Sequence, residues 1–387
     1  MSKKRIYLDY AATTPVKKEV FEAMKDYWQK KFGNPSSLHS FGHEALKAIS
    51  LSREKIKNIL KADLTSEIIF TSSATESNNL AIKGIVFYYY FFEKFIPHII
   101  TSTIEHPSIS EILTDLEEIK VCQVDYLKPE KNSLIDPVKI KEKIKENTIL
   151  ISLHYVNSEL GTIQKIKNIG HLLEQINQSR KNKIYFHTDS AQAGFEDLNV
   201  KNLKVDLMTL SSHKIYGPKG IALLYKKNKV PLLRQISGSQ QEYGLRGGTE
   251  SVPLIVGFAK ALEIANKNRK KINKKLNEIR NYFIEKIRKL NLNDKILVNT
   301  FIKLSSPKIL NIFVKNKSAQ EVLIFLDRHN IAVSLGPACK SRASNFNYVI
   351  NEIYGQKRSK NSLRISFGIE TTKKEIDILF DILNKIL

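Results

Sequence analysis

Lys214 is the residue whose type and position most directly suggest chemistry. It follows His213, precedes the turn Gly217-Pro218, and comes soon after the strand-like run 206–210. A lysine amine at such a site forms a Schiff base when its pKa is lowered, and pyridoxal phosphate is the carbonyl cofactor that uses lysine this way. The alternative is a loop lysine that points to solvent, in a chain rich in lysine.

Two further clusters offer what such a cofactor needs. Small and hydroxyl residues at 72–75, before a predicted helix, suit an anion, because free backbone N–H groups and the helix dipole favour negative charge. Asp189 follows an apolar run and precedes Gln192, and a buried carboxylate there needs a partner such as a pyridinium nitrogen. Ordinary helix caps are the simpler explanation for each cluster. The order of anion site, acid and lysine on successive strands favours a cofactor site.

Cys339 is the cysteine expected to react. It lies in the Gly/Pro/Ser loop 334–341 beside Lys340, and a neighbouring cation favours the thiolate that attacks electrophilic sulfur or carbon. Cys122 lies in the alternating pattern 119–124, which predicts a strand and a cysteine packed in the core.

The elements that position these residues alternate between strands and helices. This alternation predicts an α/β fold with a mostly parallel sheet covered on both faces, in which ligand sites lie in the loops after strands. An early helix is predicted with Thr14 as its N-cap and Pro15 at its first position, followed by apolar residues through Trp28. A long amphipathic helix is predicted from Pro253. The predicted strands of the sheet are 67–71, 98–103, 148–154, 183–188, 206–210 and 221–225.

The C-terminal third is expected to form a smaller α+β domain. The whole chain has 387 residues, a length typical of two domains. We predict a large domain at 15–258 that holds the cofactor, and a small domain made from 1–14 and 259–387.

Composition restricts the class of protein. Hydrophobic residues make up 42% of the chain, which excludes a disordered protein, and the apolar run 84–92 is shorter than the roughly 20 residues that span a bilayer. Few cysteines and no signal-like start predict a cytoplasmic protein. The net charge of +23 suits a polyanion partner, but the lysines are scattered and accompany many Asn and Ile, as in an AT-rich genome. We therefore expect no direct nucleic-acid binding, no membrane contact and no metal site.

The chain closely resembles the cysteine desulfurases of the NifS/IscS type, pyridoxal phosphate enzymes of fold type I in the class V aminotransferase family. The resemblance runs nearly end to end and rests on the joint order of its motifs. It implies a seven-stranded, mostly parallel sheet with a smaller α+β domain. Besides the Asp189 and Lys214 clusters, the motifs are YLDYAATTP at 7–15, GNPSS at 33–37, ATES at 74–77, EH at 105–106, VNSE at 156–159, RGGT at 246–249 and LRIS at 363–366.

The resemblance implies roles around the cofactor. Lys214 would hold pyridoxal phosphate as a Schiff base, Asp189 would pair with the pyridine nitrogen, and His106 would stack on the ring and assist proton transfers. Thr249 would reach the phosphate of the neighbouring subunit, which implies a homodimer. The remaining contacts would be Gln192 and Asn157 at the oxygen side of the ring, and Ala74, Thr75, Ser211 and His213 at the phosphate.

The resemblance also implies the reaction. Arg364, with Asn34 nearby, would bind the carboxylate of L-cysteine, and Cys339 would take its sulfur as a persulfide and leave alanine. An acceptor would then receive the sulfur, either an iron-sulfur scaffold or a tRNA-thiolating enzyme. Pro337 stands where the family usually has serine and restricts Gly336, so we expect a less mobile loop around Cys339.

Two alternatives remain open at this point. The first is a selenocysteine lyase or another class V enzyme with the same cofactor. The second is a catalytically silent, basic protein that serves interactions or binds RNA. The desulfurase-like cysteine loop argues against an aminotransferase, and the intact set of Lys214, Asp189, His106 and Arg364 argues against a silent protein.

Overall fold

The computed structural model describes residues 5–336 and 347–387, so Cys339 and Pro337 lie outside the described residues. Within these ranges the chain forms one large sheet and two small ones. The strands are β1 (Ile6–Tyr7), β2 (Ile68–Thr71), β3 (His98–Ser102), β4 (Gln123–Leu127), β5 (Thr148–His154), β6 (Tyr185–Asp189), β7 (Leu207–Ser211), β8 (Ala222–Lys226), β9 (Ile296–Val298), β10 (Ile309–Val314), β11 (Ile331–Ala332) and β12 (Ser362–Ser366).

The large sheet has seven strands in the order β2-β8-β7-β6-β5-β3-β4. All neighbours are parallel except β8, which runs antiparallel to β2 and to β7. The inner strands β5, β6 and β7 are buried along their whole length, as expected for parallel strands covered by helices on both faces. The predicted fold class is confirmed.

The helices surround this sheet and extend beyond it. Among the described residues, no helix combines the length and the apolar character needed to cross a membrane. The helices are α1 (Lys18–Met24), α2 (Asp26–Gln29), α3 (Ser40–Leu60), α4 (Ala74–Tyr88), α5 (Pro107–Glu118), α6 (Pro137–Glu142), α7 (Ile166–Ile176), α8 (Val200–Leu203), α9 (Val252–Lys289), α10 (Ala319–Arg328), α11 (Tyr348–Tyr354), α12 (Gln356–Lys360) and α13 (Lys373–Leu383).

The two small sheets bring the N-terminus to the C-terminal third. One is antiparallel, in the order β12-β10-β9, and the other pairs β1 with β11 in parallel. A bridge between Asp9 and Ser366 then places the segment after β1 beside β12. The helix α9 runs without interruption past residue 258, and the predicted division into two domains there stays a prediction.

The prediction for the early helix is wrong in its start and its extent. The helix α1 begins at Lys18, and a separate short helix, α2, follows it. Thr14 does not cap a helix, because its hydroxyl donates to the His213 carbonyl at 2.9 Å and accepts from the Tyr216 N–H at 2.7 Å. Trp28, expected on the apolar face, is 57% exposed. A tertiary contact to the turn after β7 has replaced the local cap.

Cys122 lies in the core, as predicted, but the strand predicted over 119–124 is wrong in its start, because β4 begins at Gln123, after Cys122. Burial, with the charge of Glu117, raises the pKa of the Cys122 thiol to about 12. This thiol therefore stays protonated and inert at neutral pH.

Candidate active site

A cavity of about 270 Å³ opens at the carboxyl ends of the parallel strands, where doubly wound sheets bind ligands. Residues far apart in sequence line it together, and ten of the thirteen predicted site residues are among them. They are Ala74, Thr75, His106, Asn157, Asp189, Gln192, Ser211, His213, Lys214 and Arg364.

Asp189 is the last residue of β6 and is 7% exposed. Its Oδ2 accepts from Asn78 Nδ2 at 3.0 Å, and its Oδ1 accepts from the Ala191 N–H at 2.9 Å. Both donors are neutral, and no ion pair to Asp189 occurs in the described part of the chain. A buried carboxylate without a cation suits a ligand that brings one.

Lys214 lies in the tight turn after β7, which carries it to the cavity. Its Nζ donates to the carbonyls of Ala11 at 2.6 Å and Ala12 at 2.8 Å. The N-terminal segment therefore orients the amine, which explains why a motif near the start of the chain belongs to this site.

His106 caps α5 and lines the cavity. Its Nδ1 accepts from the Ser108 N–H at 3.1 Å, so a neutral ring carries its proton on Nε2. Burial, reinforced by the charges of Lys214 and Arg364 and opposed by that of Asp189, lowers the pKa of His106. A lowered pKa keeps the ring neutral at physiological pH, and its N–H is then at Nε2.

The start of α4 and the turn after β7 form one end of the cavity. Ser73 caps α4 and accepts from the Glu76 N–H, while Ala74 and Thr75 line the cavity at the first turn. Burial, and then the charges of Lys214, Lys308 and Lys219, lower the pKa of His213 to about 3. An electropositive pocket next to a helix N-terminus attracts an anion such as a phosphate.

The two predicted side-chain amides line the cavity, but the protein already uses their polar atoms. Asn157 donates to the Ile104 carbonyl at 3.2 Å and accepts from the N–H groups of Glu159 and Leu160. Gln192 donates to the Ala11 carbonyl at 2.8 Å. Asn157 therefore also holds a turn.

Arg364 is a buried cation between two carboxylates. Its Nη1 donates to Glu159 Oε1 at 2.7 Å, and its Nη2 donates to Asp9 Oδ1 at 3.0 Å. Burial opposes the charge, but Glu159 and Asp9 outweigh burial and hold the pKa of Arg364 above its ordinary value. Within the described ranges, its buried Nε has no hydrogen-bond partner, so the guanidinium has a donor for an incoming anion.

Two predicted residues lie outside the cavity. Asn34 is exposed, and its side chain accepts from the Ser36 N–H. Thr249 is exposed and lines a separate small pocket with Arg246. Cys339 lies outside the described residues.

The described residues on either side of 337–346 meet near Arg364. Asn347 Nδ2 donates to Glu159 Oε2 at 2.6 Å, while Glu159 Oε1 accepts from Arg364. The backbones of Ser334 and Arg364 also exchange hydrogen bonds, at 3.1 and 2.8 Å. Ser334 therefore lies beside Arg364, and Asn347 lies beside Glu159, the partner of Arg364.

Several residues of the site were not found from the sequence. Asn78 lies on the second turn of α4, where only its contact with Asp189 reveals a role. His154 lines the cavity and pairs with the buried Glu105 at 2.7 Å. Lys308 follows two serines and a proline, a composition typical of a surface loop, yet it is buried. The position of Asn78 four residues after Ala74, on one helix face, was the available signal.

These features test whether pyridoxal phosphate fits. The group brings a pyridinium nitrogen, an aldehyde and a phosphate. The cavity has a buried carboxylate without a cation, a lysine amine, and a helix start beside hydroxyl groups. The donor set fits the group at each of its three ends.

Comparisons with known proteins agree with this chemistry. A model of the class V aminotransferase family matches residues 6–379. The cysteine desulfurase IscS of Dictyoglomus turgidum is 38% identical, covering 100% of this chain and 95% of the relative. IscS of Buchnera aphidicola subsp. Baizongia pistaciae is 42% identical, covering 98% and 92%.

Solved structures show the same fold. A NifS-like protein aligns with a TM-score of 0.90 at 30% identity, covering 99% of this chain and 100% of that one. The structure of SspA in complex with cysteine aligns with a TM-score of 0.79 at 36% identity, covering 95% of this chain and 100% of that one.

Proposed function

This chain belongs to the class V aminotransferase family, and we propose that within it the protein is a cysteine desulfurase that uses pyridoxal phosphate and L-cysteine. One observation carries the proposal: Lys214, Asp189, His106 and Arg364, from four different segments, line a single cavity. Full-length relatives that are cysteine desulfurases support the same activity, and they do not favour a selenocysteine lyase or a silent protein.

Pyridoxal phosphate, when bound, supplies an electron sink that stabilises negative charge at the substrate's α-carbon. Lys214 would hold it covalently, and Asp189 would accept from its ring nitrogen. Ala74, Thr75, Ser211 and His213 would surround the phosphate.

Arg364 and His106 would act on the substrate. The Nε–H of Arg364, which has no partner among the described residues, would donate to the carboxylate of L-cysteine, while Glu159 and Asp9 keep the guanidinium charged and in place. The neutral His106 would stack on the ring and donate from Nε2. Because the cap bond from Ser108 occupies Nδ1, a proton accepted there must displace that bond.

Cys339 would perform the sulfur transfer. Its thiolate would attack the sulfur of the bound cysteine, so that an S–S bond forms as the C–S bond breaks, and the enzyme would keep the sulfur as a persulfide. The carbon skeleton takes a proton and leaves as alanine. The contacts of Ser334 with Arg364 and of Asn347 with Glu159 support this assignment, because these two residues flank Cys339 in the sequence.

A homodimer forms part of the proposal. Five large apolar side chains are exposed from α1 to the start of α3, and clusters of this kind mark protein–protein contacts. Thr249 lines a pocket separate from its own chain's cavity, and in the proposed dimer it would contribute to the partner's site. Sedimentation of the wild type should give twice the chain mass of 44.3 kDa. The Phe32→Asp variant should sediment as a monomer. The exposed side chains are Phe21 (56%), Trp28 (57%), Phe32 (67%), Leu38 (90%) and Phe41 (52%).

The sulfur acceptor is proposed to be an iron-sulfur scaffold, in keeping with relatives named IscS, or a tRNA-thiolating enzyme. The test is to incubate the enzyme, carrying a radiolabelled persulfide, with each purified acceptor. The acceptor to which the label moves is the one that receives the sulfur.

Release of sulfide and alanine from L-cysteine with a reductant tests the activity. The wild type should produce equal amounts of both, and Lys214→Ala should lose the bound cofactor and the activity. Cys339→Ala should keep the cofactor's absorbance and lose sulfide release. Full sulfide release by Cys339→Ala would contradict the assigned nucleophile.

A further inference from the structure

Lys308 is a buried lysine beside the site that the mechanism above does not use. It directly precedes β10 and is 2% exposed. Its Nζ donates to the backbone carbonyl of Lys214 at 3.0 Å and to Gln192 Oε1 at 3.5 Å. No carboxylate lies within 4.0 Å of this amine in the part of the chain that the structure describes. Neutral oxygens are thus its hydrogen-bond acceptors.

Charged groups face Lys308 from three other parts of the chain. They are Lys214 in the turn after β7, Arg364 on β12 and Asp9 after β1. Burial, and then the charges of Lys214 and Arg364, lower the pKa of Lys308 to about 7, with Asp9 opposing. His213, from the same turn as Lys214, is neutral at that pH, and the Phe195 ring centroid lies 5.9 Å from Nζ.

The interaction between two ionisable groups is mutual. If a proton on Lys214 disfavours a proton on Lys308, a proton on Lys308 disfavours one on Lys214 to the same extent. A lysine must lose its proton before it attacks a carbonyl, and a neighbouring cation is one of the means by which enzymes achieve this.

We propose that Lys308 is a positioning residue that acts through Lys214: it holds the turn by the Lys214 carbonyl and Gln192, and its charge disfavours protonation at Lys214 Nζ. The inference rests on the proposed function, since it requires Lys214 to bind the cofactor. A merely structural lysine would hold the turn without affecting that proton.

A pH titration of the holoenzyme's visible absorbance tests this without measuring turnover. The absorbance of the Lys214–cofactor linkage changes with its protonation. Lys308→Met removes the charge and keeps the length of the side chain, so the midpoint should move up by about one pH unit. Lys308→Arg keeps a charge and should titrate at or below the wild-type midpoint. Lys303→Met, an exposed lysine on the same segment, is the matched control and should not differ from wild type.

An unchanged midpoint in Lys308→Met would overturn the inference while leaving the proposed function intact. If the wild type and Lys214→Ala have the same visible absorbance, both the inference and the proposed function are overturned. If Lys308→Met does not fold, Lys308→Gln replaces it, and the same upward shift supports the inference while an unchanged midpoint overturns it.

Discussion

Two buried cations, Arg364 on β12 and Lys308 directly before the adjacent β10, differ in what surrounds them. Arg364 touches two carboxylates, which hold its pKa above the ordinary value. Lys308 donates to neutral oxygens and has its pKa lowered to about 7. A cation matched by carboxylates stays charged and can bind an anion with its remaining donor, whereas an unmatched one gains or loses its proton near neutral pH.

Replacing Arg364 should give the largest effect. Arg364→Met removes the donor to the substrate carboxylate and leaves Glu159 and Asp9 buried without their cation. We expect kcat/KM for L-cysteine to fall about 1000-fold and the free energy of unfolding to fall by about 3–5 kcal/mol. Steady-state kinetics and urea unfolding measure the two effects. The exposed Arg328→Met is the control, and an unchanged KM in Arg364→Met would show that the carboxylate binds elsewhere.

Replacing the carboxylates separately should sharpen the account of Arg364. The Glu159 side chain is fully buried, whereas that of Asp9 is 18% exposed. Water can therefore replace part of the interaction between Asp9 and Arg364. Glu159→Gln should lower the free energy of unfolding by about 3 kcal/mol, and Asp9→Asn by about 1 kcal/mol. Urea unfolding at neutral pH compares them. Equal losses would mean that burial does not determine the strength of these two pairs.

Replacing Lys308 should raise the free energy of unfolding, whereas replacing Arg364, Glu159 or Asp9 should lower it. The pKa of Lys308 falls from an ordinary 10.5 to about 7 on folding, so the unfolded chain binds more protons between these values and wild-type stability rises with pH across them. Lys308→Met should therefore be more stable than wild type by about 2 kcal/mol at and below pH 7. The gain should shrink as the pH approaches 10.5. A gain independent of pH would contradict a buried ammonium.

The sequence predicted the half of the site that follows the strands of the large sheet. Asp189 and Lys214 come at or just after β-branched and apolar runs, so a strand pattern alone places them at one edge. The partners of Arg364 could not be predicted this way, because Asp9 and Glu159 meet it from segments more than 200 residues away. A bridge to β12 brings Asp9 to Arg364, and the loop after β5 of the large sheet brings Glu159; neither contact leaves a local pattern in the sequence.

Lys308 and Thr14 show how tertiary contacts override local signals. Ser305, Ser306 and Pro307 before Lys308 are typical of an exposed loop, yet all are buried. Thr14 before Pro15 is typical of a helix start, yet its hydroxyl bonds the turn after β7. In both cases the segment packs against the turn that carries Lys214, and that contact determines its conformation.

Identifying the lysine that binds the cofactor tests the central claim most directly. Borohydride reduction of the holoenzyme adds hydride to the C=N bond and fixes the cofactor to its lysine, and peptide mass spectrometry then locates it. We predict one modified peptide, which contains Lys214. A cofactor found on Lys308, or on no lysine of this cavity, would contradict the assignment of the reactive and the positioning amine.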